Sequence, residues 1–242
     1  MSLHIFLSEL VGTFLLILMG AGVCANVSLK GTLGSAAGWL SISFGWGLAV
    51  YCGVWVSAAS GGHLNPAVTL GMMANPSLSE LAPGVDKTLA NAGLYILAQL
   101  IGAFLGATGA WLAYKKHFDD KANQGQVLGI FATGPAIRSY GWNLVNEVIG
   151  TFVLVFVVAG FGGTPNGLGP LAVALLVVAI GLSLGGATGY AINPARDLAP
   201  RLAHALLPIP GKGGSDWSYA WVPVAGPLLG GVLGGVAAAT LL

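Results

Sequence analysis

The sequence predicts an all-α membrane protein in which six spanning helices and two half-helices form one domain, built as an inverted repeat. Three observations predict it. The chain of 242 residues is 55% hydrophobic and only 7% charged, with mean hydropathy +0.83, where a soluble domain carries about 25% charged residues. So few charges cannot cover a water-facing surface, and lipid must be the solvent for most of it. Six stretches are apolar over roughly the 20 residues a spanning helix needs. One segment near the start recurs in the second half of the chain.

The expected spans cover residues 5–26, 39–57, 88–114, 144–162, 168–184 and 221–242. The opening MSLHIFLSEL has no basic region and no clear cleavage site, so it reads as the start of a span and not as a removed leader. Lys115, Lys116, Asp119, Asp120 and Lys121 mark a polar loop after the third span, and Gly, Pro, Ser and Asp fill residues 208–218. Two further apolar stretches, 66–74 and 194–207, are bounded by prolines and too short to span. A helix of about ten residues rises ~15 Å, half the hydrocarbon thickness, so each is expected to enter the membrane and stop near its middle. The 39 glycines include the runs GAFLGATGA and GPLLGGVLGG, which let helix backbones approach closely in lipid. Cys24 and Cys52 lie in apolar stretches and read as packing residues, not as a disulfide or metal site. A net charge of +1 points to neither a nucleic-acid partner nor a polybasic tether. The chain stops at Leu242, and a native tail beyond it is left open.

SELVGTFLLILMGAG at residues 8–22 matches NEVIGTFVLVFVVAG at residues 146–160. The single domain, 1–242, therefore divides into repeats of about 1–114 and 143–242, joined by a loop at 115–142. Each half holds three full spans, an odd number, so the second must be inserted upside down. Each half also carries an Asn-Pro-Ala: Asn65-Pro66-Ala67 and Asn193-Pro194-Ala195. Asn is a strong N-cap and Pro suits the first helical position, so both are helix starts. Brought tip to tip, they would focus unsatisfied N–H groups and two positive dipole ends on the midplane.

On these residues the chain resembles the major intrinsic protein family, the aquaporins and glycerol facilitators, over essentially its full length. The resemblance implies an aquaporin-like hourglass of six spans and two re-entrant half-helices, a homotetramer with one pore per subunit, and no cofactor. Asp197, Arg201, Gly181 and the pair Pro223-Val224 resemble the glycerol-facilitator branch. The implied activity is passive passage of glycerol and other small uncharged solutes with some water, excluding ions and protons. The nearest alternative is a water-dominant or broad neutral-solute pore that takes urea, ammonia or hydrogen peroxide. The implied setting is a bacterial inner membrane, with lipid and further copies of the chain as partners. Both termini would be cytoplasmic. The positive-inside rule points the other way, because Lys30, Lys115, Lys116, Lys121, Arg138 and Lys212 fall in loops of one side and Lys87 in the other. The resemblance, carried by both Asn-Pro-Ala boxes, takes precedence here.

The resemblance also implies roles for single residues. Arg196 would form an outer constriction, with Tyr190 and Trp46 as aromatic walls. The spacing back from Asn65 is one residue short of the facilitator pattern, so Gly45 competes with Trp46, and SFGWGLAVYCG favours Trp46. Gly61, Gly62, His63, Gly189 and Ala191, in the segments leading into the half-helices, would line the pore with backbone carbonyls, since non-helical backbone is tolerated where it lines a cavity. The Asn65 and Asn193 amides would donate to a passing oxygen and break a proton wire. Glu9 and Glu147 could be a proton relay or acceptors for loop N–H groups; the cost of burying an unpaired charge favours acceptors. His63 could be a pH gate, a metal ligand or a loop-orienting imidazole, and the last is expected. His117 and His204 have no assignable pattern. No catalytic triad, carboxylate pair or metal-ligand cluster is visible, so neither enzyme nor metal site is expected. A coupled transporter also uses inverted repeats, but it needs a titratable group where this chain has Asn. An adhesion protein would not need Arg196.

Overall fold

The computed structural model describes residues 2–125, 127–161 and 167–242. Ten helices occur among them: α1 (Ser2–Ser28), α2 (Gly38–Trp55), α3 (Pro66–Ala74), α4 (Leu89–Ala113), α5 (Lys115–Asp119), α6 (Leu128–Phe131), α7 (Tyr140–Phe161), α8 (Pro170–Leu184), α9 (Pro194–Leu206) and α10 (Val222–Leu241). The six expected spans correspond to α1, α2, α4, α7, α8 and α10, with ends within four residues of those expected; Gly162, the expected end of the fourth, lies outside the described residues. Among the described residues, α1, α4, α7 and α10 are long and apolar enough to cross a membrane on their own, while α8 is a shorter apolar helix of 15 residues. The two half-helices are α3 and α9, starting at the two prolines. The polar loop after α4 folds into α5 and α6, too short to show a sequence period, and a small ribbon pairs Glu80–Ala82 with Val85–Asp86.

The halves pack alike. In each, the first and third spans lie side by side, α1 on α4 and α7 on α10, and the half-helix of one half packs on the last helix of the other, α3 on α10 and α9 on α4. Glycine permits the closest of these approaches. A Cβ on Gly71 would stand 2.6 Å from the Gly231 carbonyl oxygen, so α3 and α10 touch backbone to backbone. Gly102 and Gly106 of α4 lie on the Leu10 and Phe14 carbonyls of α1, and Gly230 and Gly234 of α10 lie on Val148 and Phe152 of α7 in the matching places. These contacts put the GAFLGATGA and GPLLGGVLGG runs at helix seams. The outward faces keep large apolar residues exposed, such as Leu48, Leu97, Ile149, Leu175 and Leu229, as a lipid-facing surface requires.

The loops carrying Lys30, Asn123, Gly125, Arg138, Gly211 and Asp216 meet at one end of the molecule. Asn123 exchanges hydrogen bonds with the Lys30 backbone (2.7 and 3.2 Å), Gly125 N–H donates to the Gly211 carbonyl (2.9 Å), and Arg138 pairs with Asp216.

Candidate solute pathway

The two Asn-Pro-Ala boxes meet at the centre. Asn65 and Asn193 are extended N-caps (φ −159° and −158°) of α3 and α9. Each side-chain oxygen caps its own helix: Asn65 Oδ1 accepts from Ala67 N–H (2.8 Å), and Asn193 Oδ1 from Ala195 and Arg196 N–H (3.0 and 3.2 Å). Each side-chain nitrogen reaches the other half. Asn65 Nδ2 donates to the Ile192 carbonyl (2.7 Å) and Asn193 Nδ2 to the Leu64 carbonyl (2.8 Å). An amide has two N–H donors, so one of each remains for the cavity that both residues line.

That cavity holds about 250 Å³. Leu16, Val50, Val54, Val68, Leu154 and Val177 give it aliphatic lining. Irregular backbone borders it as well. Gly61, Gly62, His63 and Ala191 line it, and among the described residues no donor reaches the carbonyl oxygens of Gly61, Gly62, His63, Tyr190 or Ala191. Gly189 departs from the expected ladder. It does not line the cavity and lies against Thr133, where a Cβ would stand 3.3 Å away. The backbone at Leu64, Tyr190 and Ile192 is left-handed (φ +52°, +38° and +43°), a conformation L-residues rarely hold unless the surroundings fix it.

Two buried carboxylates fix it. Glu9 accepts from the N–H groups of His63 (2.9 Å) and Leu64 (2.8 Å), and also from Ser60 and Gln99. Glu147 accepts from Ala191 (3.0 Å), Ile192 (2.8 Å) and Thr188 (2.6 Å). Charge-assisted bonds of this kind are the strong ones. His63 is fully engaged: Nε2 lies 3.0 Å from the Leu81 carbonyl and Nδ1 3.1 Å from the Thr69 hydroxyl. A carbonyl only accepts, so Nε2 carries the proton.

Trp46, Tyr190 and Arg196 all line this cavity. The Arg196 guanidinium carbon sits 4.0 Å over the Trp46 ring, while its Nη1 donates to the Phe131 carbonyl (3.0 Å). At 4.0 Å nothing fits between guanidinium and indole, so a solute passes beside this stack or parts it. Gly45 faces Val23 and not the cavity, since a Cβ there would lie 2.6 Å from both Val23 methyls. Trp46 is anchored from behind by its indole N–H, which points at Cys24 Sγ (3.3 Å).

The four branch residues lie outside the cavity wall. Asp197 and Arg201 form a fully buried ion pair, Nε to Oδ1 at 2.8 Å. Asp197 also accepts from the Thr133 N–H (2.7 Å) and hydroxyl (2.8 Å), and Arg201 donates to the carbonyls of Thr133, Ser215 and Asp216. The pair thus ties α9 to two loops. Gly181 leaves the space that the tip of the Tyr190 ring occupies, and Pro223 sits in the first turn of α10. Reading the sequence missed Phe131, Trp39 and Ser43, because none carries a motif, and read Cys24 only as a packing residue. His204, for which the sequence offered no pattern, places Nδ1 2.9 Å from Ser215 Oγ and packs its ring on Phe131. Among the described residues no metal-ligand cluster occurs.

The sequence profile of the family described as Major intrinsic protein matches residues 1–237. "Glycerol uptake facilitator protein 3" of Lactiplantibacillus plantarum is 53% identical over 231 residues, covering 94% of this chain and 92% of that protein. "Probable glycerol uptake facilitator protein" of Thermotoga maritima is 50% identical, covering 96% and 97%. Among solved structures, the X-ray structure of the aquaglyceroporin from Plasmodium falciparum is similar at TM-score 0.81 and 31% identity, over 97% of this chain and 94% of that one.

Proposed function

The chain belongs to the major intrinsic protein family, and from that premise we propose that it is a passive channel for glycerol and other small uncharged solutes, passing some water and refusing ions and protons. It is an integral membrane protein. Relatives named as glycerol facilitators at about half identity support glycerol as the solute. The observation that carries the reading is a single cavity lined by Trp46, Tyr190 and Arg196, by unclaimed carbonyls and by two Asn residues, with Arg196 stacked on Trp46.

The filter is amphipathic. Guanidinium donors bind solute hydroxyls while the aromatic faces of Trp46 and Tyr190 meet the carbon skeleton. Past the filter, the carbonyls replace the water that the hydroxyls shed. At the centre, the remaining N–H of Asn65 and of Asn193 hold one oxygen between two donors. A water held so cannot accept a further hydrogen bond along the pore, which interrupts proton hopping. The N-termini of α3 and α9 point their positive ends at that place and oppose cations. Glu9 and Glu147 act as loop acceptors and not as a proton relay. The chain is further proposed to assemble as a homotetramer in a bacterial inner membrane, with both termini cytoplasmic.

The Arg196–Trp46 stack favours one second reading, a water-dominant pore, in which the stack stays closed to anything as wide as glycerol. A paired measurement separates the two. Tyr190→His adds a polar, protonatable group at the filter, and glycerol permeability of proteoliposomes should fall more than water permeability. An equal fall in both would reject Tyr190 as a filter wall, and absence of glycerol flux in the unaltered protein would favour the water-dominant pore.

A further inference from the structure

Tyr190 carries one polar atom that a wall for carbon skeletons does not need. The ring lines the cavity, yet its hydroxyl is buried from it. That hydroxyl finds no well-aligned partner among the described residues, and neither does the fully buried hydroxyl of Ser43. The two converge on one point. A Cβ at Gly181 would stand 3.0 Å from the Tyr190 hydroxyl oxygen and 3.1 Å from Ser43 Oγ. Neither Gly181 nor Ser43 lines the cavity, so the point lies behind its wall. Trp39 closes the bracket. Its ring meets Tyr190 edge-on at 5.7 Å, and its indole N–H donates to the Gly181 carbonyl (2.9 Å).

A buried hydroxyl left without a partner destabilises the fold. Hydroxyl hydrogens rotate to suit, and each hydroxyl both donates and accepts. Two such groups beside one glycine satisfy each other with a small turn. We propose that Ser43 is a specificity-determining residue of the channel: it takes the Tyr190 hydroxyl behind the wall, so that a tyrosine presents only carbon to the solute. Trp39, Ser43 and Trp46 stand at i, i+4 and i+7 of α2, one face of the helix. That face supplies one aromatic wall through Trp46 and holds the other through Ser43 and Trp39.

The proposal rests on the channel reading above, and its test separates the two. Glycerol and water permeabilities are measured in proteoliposomes for Ser43→Ala, first with Tyr190 present and then in a Tyr190→Phe background. Without Ser43 the phenol hydroxyl has no partner behind the wall, and the ring swings about χ1 to bring it to the cavity. The glycerol-to-water ratio should then fall roughly three- to tenfold with Tyr190 present, and by less than about twofold in the Phe background. Equal loss in both backgrounds, or no loss with Tyr190 present, would overturn the role of Ser43 and leave the channel reading standing. An unaltered protein that passes water but no glycerol would fail the channel reading, and the proposal with it. Should Ser43→Ala not fold, Ser43→Cys offers nearly the same size with a weaker hydrogen-bonding group and permits the same comparison.

Discussion

Asn65 and Asn193 each divide their side chains between two tasks. The oxygen caps a half-helix and one N–H bonds the loop of the opposite half. Aspartate can still cap, but it cannot donate, and it sets a negative charge between two positive helix ends. Asn65→Asp or Asn193→Asp should therefore raise proton or cation leakage, read by a pH-sensitive dye inside proteoliposomes under an imposed ion gradient. A vesicle as tight as that of the unaltered protein would reject the amides as the central donors. The caps were legible in the sequence because Asn-Pro is a local signal. The cross-bonds were not, since Ile192 O lies 127 residues from Asn65 and a backbone carbonyl has no residue identity to read. The same holds for Phe131, which anchors Arg196 through its carbonyl alone. Trp46 and Gly45 could not be separated by spacing; facing did it, because only Trp46 reaches the cavity.

The half-helices are short, and their two ends are managed differently. Their N-termini rely on Asn caps and on the loops held by Glu9 and Glu147. Each C-terminus meets a lysine, which suits the negative end of the helix dipole. Lys87 Nζ donates to the carbonyls of Asn75 and Leu78 beyond α3, and Lys212 Nζ to those of Ala205 and Leu207 at the end of α9. The second half-helix has one more tie, the buried Asp197–Arg201 pair. Removing one partner of such a pair strands the other charge and typically costs about 3–5 kcal/mol. Asp197→Asn should lower the melting temperature of the purified protein in detergent, and an unchanged melting temperature would show that Arg201 is satisfied by carbonyls alone. The neighbouring surface tie behaves otherwise. Hydrogen bonds from Arg138 hold the Asp216 carboxyl below the usual carboxylate range, so what that pair contributes is present above this range and is lost only as pH falls through the lowered value. Span and half-helix limits were legible from apolar length and bounding prolines. The sequence labelled Asp197 and Arg201 as branch residues only, because the loops they hold lie far along the chain.

At the scale of the whole molecule, two similar halves share one cavity, and neither half closes it alone. Leu64 and Ile192 take corresponding places in the two central cross-bonds, as Glu9 and Glu147 do in holding the loops. The repeat was legible because Glu, Gly-Thr and the closing Gly recur in step. What could not be read was how Arg196 settles against Trp46 in space. Stopped-flow light scattering of proteoliposomes in a glycerol gradient tests the central claim most directly. Glycerol channelling predicts fast shrinkage followed by re-swelling well above that of protein-free vesicles, independent of the ions present. Fast shrinkage with re-swelling no faster than bare lipid would contradict it, and would mean that the guanidinium–indole stack admits water only.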